Sequence, residues 1–100
     1  MTPTINEVQI QPIKPNNGLI AFASVVIDDN LYLGSIGVHT KLNGSGYRLT
    51  YPTKPLGSQR QNVYHPINRM TAEAIEVAVI SRLKEVLSKQ NDRHNGTDTK

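Results

Sequence analysis

The stretch from Lys41 to Arg69 reads KLNGSGYRLTYPTKPLGSQRQNVYHPINR. It holds Lys41, Arg48, Lys54, Arg60 and Arg69, no Asp or Glu, and three of the four tyrosines, Tyr47, Tyr51 and Tyr64. A field of one sign with π-faces inside it suits phosphate and unpaired bases. Lys54 and Arg60 sit in the polar run Pro52 to Gln61, where two prolines and a glycine predict an exposed loop. Binding residues concentrate on such loops, so these two are the first candidates for phosphate contact, with Arg48 and Arg69 flanking them. His65, in the run Tyr-His-Pro-Ile-Asn, has two readings. It contacts a ligand, or its ring packs or hydrogen-bonds to fix the turn into the next element; the second is preferred. Tyr47 and Tyr51 share a strand face, and same-face tyrosines more often serve a core or an interface than stack on bases.

Catalysis needs a nucleophile, a base or a metal constellation. The histidines, His39, His65 and His94, have no metal-ligand spacing between them, and there is no cysteine. Zinc therefore lacks its usual ligands, and thiol chemistry and disulfides are excluded. Asp28-Asp29 is a carboxylate pair, but adjacent acids between two strands read as turn formers. Gly44-Ser45-Gly46 is too short for a phosphate-binding loop and precedes a strand rather than a helix. The residues support a binding module without cofactor, metal or small-molecule substrate, rather than an enzyme.

One hundred residues with a net charge of +3 make one domain, of radius of gyration roughly 13 Å when compact. The charge is unevenly spread: residues 1–40 carry a net −2 and residues 41–100 a net +5. Halves of opposite sign predict one basic face. The longest apolar run, Leu19 to Ile27, falls well short of the ~20 residues that span a bilayer, and the start lacks a secretory pattern.

The elements that must position these groups follow from periodicity. Val8, Ile10 and Ile13 mark a first strand, and Pro12 puts it at a sheet edge or at a bulge. Pro15-Asn16-Asn17-Gly18 is a turn. Leu19 to Ile27 (LIAFASVVI) is apolar on both faces, as expected of a central strand covered once by a helix and once by a second subunit. Asp28-Asp29-Asn30 turns the chain into Leu31–Thr40, with Leu33 and Ile36 expected on opposite faces and a bulge or close approach at Gly34 and Gly37. Asn43-Gly44 predicts a hairpin into a strand over Tyr47–Tyr51. Thr71 is the expected N-cap of a helix running to about Lys89, with Ala72, Ile75, Val79, Leu83 and Val86 inward. Glu76 falls within that arc, and Val77 points away from it. Residues 90–100 are polar and turn-rich, which predicts a disordered tail behind a domain of residues 1–89. The fold class is α+β: an antiparallel sheet of four to five strands followed by one C-terminal helix.

With those residues laid out, the chain resembles the stage V sporulation protein G (septation protein) family. The resemblance rests on Glu7-Val8-Gln9-Ile10, Ala21 to Asp28, Pro52-Thr53-Lys54, and above all His65-Pro66-Ile67-Asn68 ahead of an apolar helix. It spans about residues 5–87. It implies a small α+β homodimer, a cytoplasmic bacterial regulator that binds DNA and RNA, linked to septation and sporulation. It also places the His-Pro-Ile-Asn run and the helix start close to the nucleic-acid-binding region, and Lys54 at the basic position after the Pro-Ser/Thr step. The chain departs from that pattern in the first helical turn, where Ala72 and Ala74, with Glu73 between them, stand in place of basic residues, and at Gly37, where a basic residue is common. Arg48, Arg60 and Arg69 are then the substitute cations. The alternative is a protein-interaction module of the same fold that has lost nucleic-acid binding.

Overall fold

Alternating apolar residues, interrupted where positive φ is needed, build the sheet. The computed structural model describes the backbone of residues 2–98 and the side chains of residues 2–89. Strands β1 (Ile5–Asn16), β2 (Leu19–Ile27), β3 (Leu31–Thr40) and β4 (Tyr47–Thr50) form an antiparallel sheet in that order. A separate antiparallel pair, β5 (Thr53–Leu56) and β6 (Gln59–Asn62), follows, and helix α1 (Arg69–Asp98) closes the chain.

The turns obey the chemistry of their residues. Asn17 at φ 54° and Gly18 at φ 92° join β1 to β2, while Asp28 at φ 54° and Asp29 at φ 59° join β2 to β3. Two consecutive positive φ values match the right-handed twist of a tight hairpin. Asp28 also ties down the start of the chain: its Oδ1 accepts from the Thr4 amide at 2.9 Å, and its own amide donates to the Thr4 carbonyl at 2.8 Å. The acidic pair is therefore a turn and a clasp. β1 lies at the sheet edge, and its register shifts between Pro12 and Asn16, as the missing proline donor requires.

One bulge corrects the reading of β3. Ala23 pairs with Ile36 but Val25 pairs with Leu33, so Gly34 and Ser35 together oppose Ser24, with Ser35 at φ 62°. The extra residue reverses the alternation. Leu33 and Ile36 consequently both face the helix, not opposite sides.

The core lies between the sheet and α1. Ala21, Ala23, Val25, Ile36 and Val38 meet Ile75, Val79 and Leu83, all essentially without exposed surface. The three helix residues recur at i, i+4 and i+8, one stripe of an α-helix. Small Ala21 and Ala23 leave room over β2 for the side chains of the helix, whose backbone comes nearest β1. Asn68, not Thr71, caps the helix: its Oδ1 accepts from the Thr71 amide at 2.8 Å. Pro66 keeps His65 non-helical, which leaves Asn68 as the first residue able to cap. The α1 backbone continues to Asp98, past the expected end near Lys89. No proline interrupts it, and extension is cooperative once a helix is nucleated. The helix end expected near Lys89 is thus corrected to Asp98; residues 99–100 of the expected tail lie outside the described residues. The radius of gyration, 15.3 Å, exceeds the compact expectation because of this long helix and the projecting β5–β6 pair.

Candidate nucleic-acid interface

The run Pro52 to Gln61, expected as a loop, is a two-stranded ribbon. Thr53 pairs with Asn62, Lys54 with Gln61, Pro55 with Arg60 and Leu56 with Gln59. Gly57 at φ 61° makes the two-residue turn at its tip, the position where such hairpins accept glycine most readily. The ribbon is pinned at its base, where the Val63 amide donates to the Pro52 carbonyl at 2.8 Å. Beyond that point every one of its strand residues is exposed, and it packs against no other element among the described residues. Pro55 is tolerated because both outer edges of a two-stranded ribbon are free. Hydrophobic periodicity does not reveal such an element, because it buries nothing.

Lys54 and Arg60 are thus brought together on one projecting arm. They lie on opposite faces of it, because residues directly across an antiparallel pair share a face and neighbours along a strand alternate. Arg60 folds back across its own face, with Nε donating to Thr53 Oγ1 at 2.8 Å and Nη2 to the Thr53 carbonyl at 3.3 Å. Among the described residues, neither Lys54 nor Arg60 has a carboxylate partner.

The other three candidates sit elsewhere. Arg48 lies on β4 opposite His39, on the sheet face turned away from the helix. There His39 Nε2 and Thr50 Oγ1 are 3.0 Å apart. Burial, and next the Arg48 charge, lower the His39 pKa from its ordinary value. Gly37 is required beneath them: a Cβ there would stand 2.6 Å from Thr50 Oγ1. Any side chain at Gly37, a basic one included, would have to displace that pair. Arg69 opens α1 and faces Glu73 at 3.8 Å, both well exposed. Its charge is matched locally, so it adds less to the field than a lone cation. His65 bonds its own turn, with Nδ1 3.0 Å from the Pro66 carbonyl oxygen.

The tyrosines of the basic stretch face inward. Tyr47, Leu49, Tyr51 and Tyr64 pack on the core. Tyr51 and Tyr64 meet edge to face at 5.9 Å between ring centroids, a favoured aromatic geometry. Tyr64 donates its hydroxyl to the Gly34 carbonyl at 2.7 Å, so it plugs the place where β4 has left β3. Burial, Tyr51 and Tyr32 push its pKa up to about 12. The Tyr51 pKa is raised by burial and then by the Glu76 carboxylate; Glu76 itself is exposed.

The aromatic groups on the open sheet face are Phe22, 40% exposed, and Tyr32, 68% exposed. Val26 pairs with Tyr32, and Phe22 pairs with Gly37, on that same face. Tyr32 lies across Gly34, where an added Cβ would come within 3.0 Å of its ring. The aromatic within the apolar run, Phe22, could have flagged this face; Tyr32 had no such signal, because the bulge that sets its orientation is not readable from alternation. No group of three His, Cys, Asp or Glu residues that could hold a metal ion occurs among the described residues. No described helix is long and apolar enough to cross a membrane.

A family model described as SpoVG matches residues 3–85, which takes in all six strands and the packed part of α1. The chain is also 35% identical over 89 residues to a protein of Finegoldia magna named "Putative septation protein SpoVG", an alignment covering 87% of this chain and 80% of that relative.

Proposed function

The chain belongs to the SpoVG family, and from that premise we propose that it is a non-catalytic, cytoplasmic regulator that binds nucleic acid as a homodimer and serves septation. The observation carrying this reading is the β5–β6 arm: a fully exposed ribbon with Lys54 and Arg60, touching no other element and facing no carboxylate. Cations on such an arm neutralise phosphates and release counterions, the main source of affinity for a polyanion. The helix start is the weaker candidate in this chain, because Arg69 is matched by Glu73 and Ala72 and Ala74 carry no charge. A second copy would cover the open sheet face, burying Phe22, Val26 and Tyr32, and would double the number of arms. Regulation then works by occupancy: bound protein blocks or recruits other factors. Arg48, on β4, and His65, in the turn before α1, are secondary candidates that lie outside the arm. The test is a titration of the full chain against single-stranded and duplex probes at several salt concentrations. Affinity that falls steeply with salt supports the reading; salt-independent or absent binding removes it.

A protein-interaction module is the second reading. It is favoured by Met70 and Val77, 51% and 65% exposed on the outer side of α1. With Ala74 and Ala78 they form a helical stripe at i, i+4, i+7 and i+8 that no described element covers. A protein partner retained after nuclease treatment supports this reading; a partner lost with nuclease counts against it.

A further inference from the structure

The two faces of the β5–β6 ribbon differ in chemistry. One presents Thr53, Pro55, Arg60 and Asn62, with the arginine fastened to Thr53. The other presents Lys54, Leu56, Gln59 and Gln61. A carboxamide offers a donor and an acceptor side by side, the pair that matches the N6 and N7 edge of adenine; an apolar side chain suits the methyl group of thymine. Leu56 is 56% exposed on this face, with no packing partner to explain it. The ribbon contains no aromatic residue between Thr53 and Asn62, so it lacks the platforms that single strands stack on.

Its dimensions fit a duplex. A major groove about 12 Å wide admits a two-stranded ribbon. Four residues per strand make a ribbon about 13 Å long at the usual rise, which lies along the groove with one face towards its floor. Gln59 and Gln61, alternate residues of one strand, stand about 7 Å apart, close to two successive nucleotide steps of about 3.4 Å. An isolated ribbon is marginal in water, and the walls of a groove supply the missing support.

We propose that this ribbon enters the major groove of duplex DNA, where Gln59 and Gln61 determine sequence preference for A·T pairs and Leu56 lies against a thymine methyl. Arg60, on the reverse face, meets the flanking backbone. The proposal rests on the nucleic-acid reading above and goes beyond it by naming the nucleic-acid form and the reading residues. A-form RNA is refused, because its major groove is too deep and narrow for side chains to read.

The experiment selects bound sequences from a pool of random duplex DNA, using the full chain and its Q59A/Q61A variant. It also titrates both proteins with the unselected pool and with duplex RNA at several salt concentrations. Both glutamines are exposed, so the variant should fold, and its thermal midpoint checks that. The expected result is a short A·T-containing motif enriched by the parent chain. The variant should keep the parent's salt slope on the unselected pool but lose preference for that motif, by at least about fivefold for each lost amide. A parent that enriches nothing, a variant that enriches the same motif, or equal affinity for duplex RNA overturns the groove reading while leaving salt-dependent binding in place. A variant whose sedimentation changes puts the ribbon between copies of the chain, which also overturns it. A parent that binds no nucleic acid at any salt overturns the proposed function as well.

Discussion

Replacing Lys54 and Arg60 together by alanine should change the salt dependence of binding more than it changes the fold. Both side chains are exposed on an arm that packs against nothing else. The variant loses only the exposed Arg60–Thr53 hydrogen bonds, and surface changes of this kind usually fall within about 0.5 kcal/mol. For duplex DNA, log affinity falls with log salt by about 0.9 per neutralised phosphate. Two cations on one arm therefore account for a slope of about 1.8, and two arms of a dimer for about 3.6. Between 50 and 200 mM salt the double variant should accordingly lose about tenfold less affinity than the parent for one engaged arm, or roughly 150-fold less for two. Fluorescence anisotropy with a labelled 30-bp duplex at four salt concentrations reads the slope directly. A folded variant with the parent's slope removes the arm from the interface.

Three further outcomes test the surrounding structure. Asn68→Ala removes the side-chain acceptor of the Thr71 amide and should cost about 1 kcal/mol in chemical denaturation; Thr71→Ala should cost less, and the reverse order would contradict the assigned cap. The lowered His39 pKa means that folding disfavours the charged ring, through burial and then the Arg48 charge. Its contribution to stability is present above the ordinary histidine value of 6.5 and is lost as pH falls below it. Arg48→Met should therefore raise the His39 midpoint in an NMR titration and soften the loss of stability in acid; an unmoved or lower midpoint would show that the Arg48 charge does not reach the ring. Phe22→Arg puts a charge at the centre of the open sheet face, where Phe22 is already 40% exposed. It should leave the fold intact and yield monomer in sedimentation at concentrations where the parent forms the proposed dimer; an unchanged dimer would move the interface elsewhere, and a monomeric parent would contradict the proposed homodimer.

The sheet and the helix were legible because burial writes itself into sequence as period. LIAFASVVI reads as a central strand from its β-branched, apolar residues, Asp28-Asp29-Asn30 reads as a turn, and Ile75, Val79 and Leu83 recur on one helical face. Three features escaped for different physical reasons. The β5–β6 ribbon buries nothing, so it has no hydrophobic alternation, and Pro52 before it and Pro55 within it resemble loop punctuation although a free edge tolerates Pro55. The bulge at Gly34-Ser35 reverses faces midway along β3, so simple alternation misplaces Ile36 relative to Leu33. The cap shifts from Thr71 to Asn68 because local preference allows either, and the Pro66 turn decides between them. Candidate site residues were legible as a composition, cations without anions, but not as a geometry. Only the pairing register reveals that Lys54 and Arg60 share an arm while pointing apart, and that Arg48, His65 and Arg69 belong to other elements.

The arm can be removed without touching the rest of the fold, because Pro52 and Val63 already meet at its base through a 2.8 Å hydrogen bond. Replacing residues 53–62 with an Asn-Gly turn should give a chain with the parent's circular dichroism in the helical region and a closely similar thermal midpoint. In the same anisotropy assay at low salt, that chain should no longer bind the duplex probe. Undiminished binding by the shortened, folded chain would contradict the account at its centre.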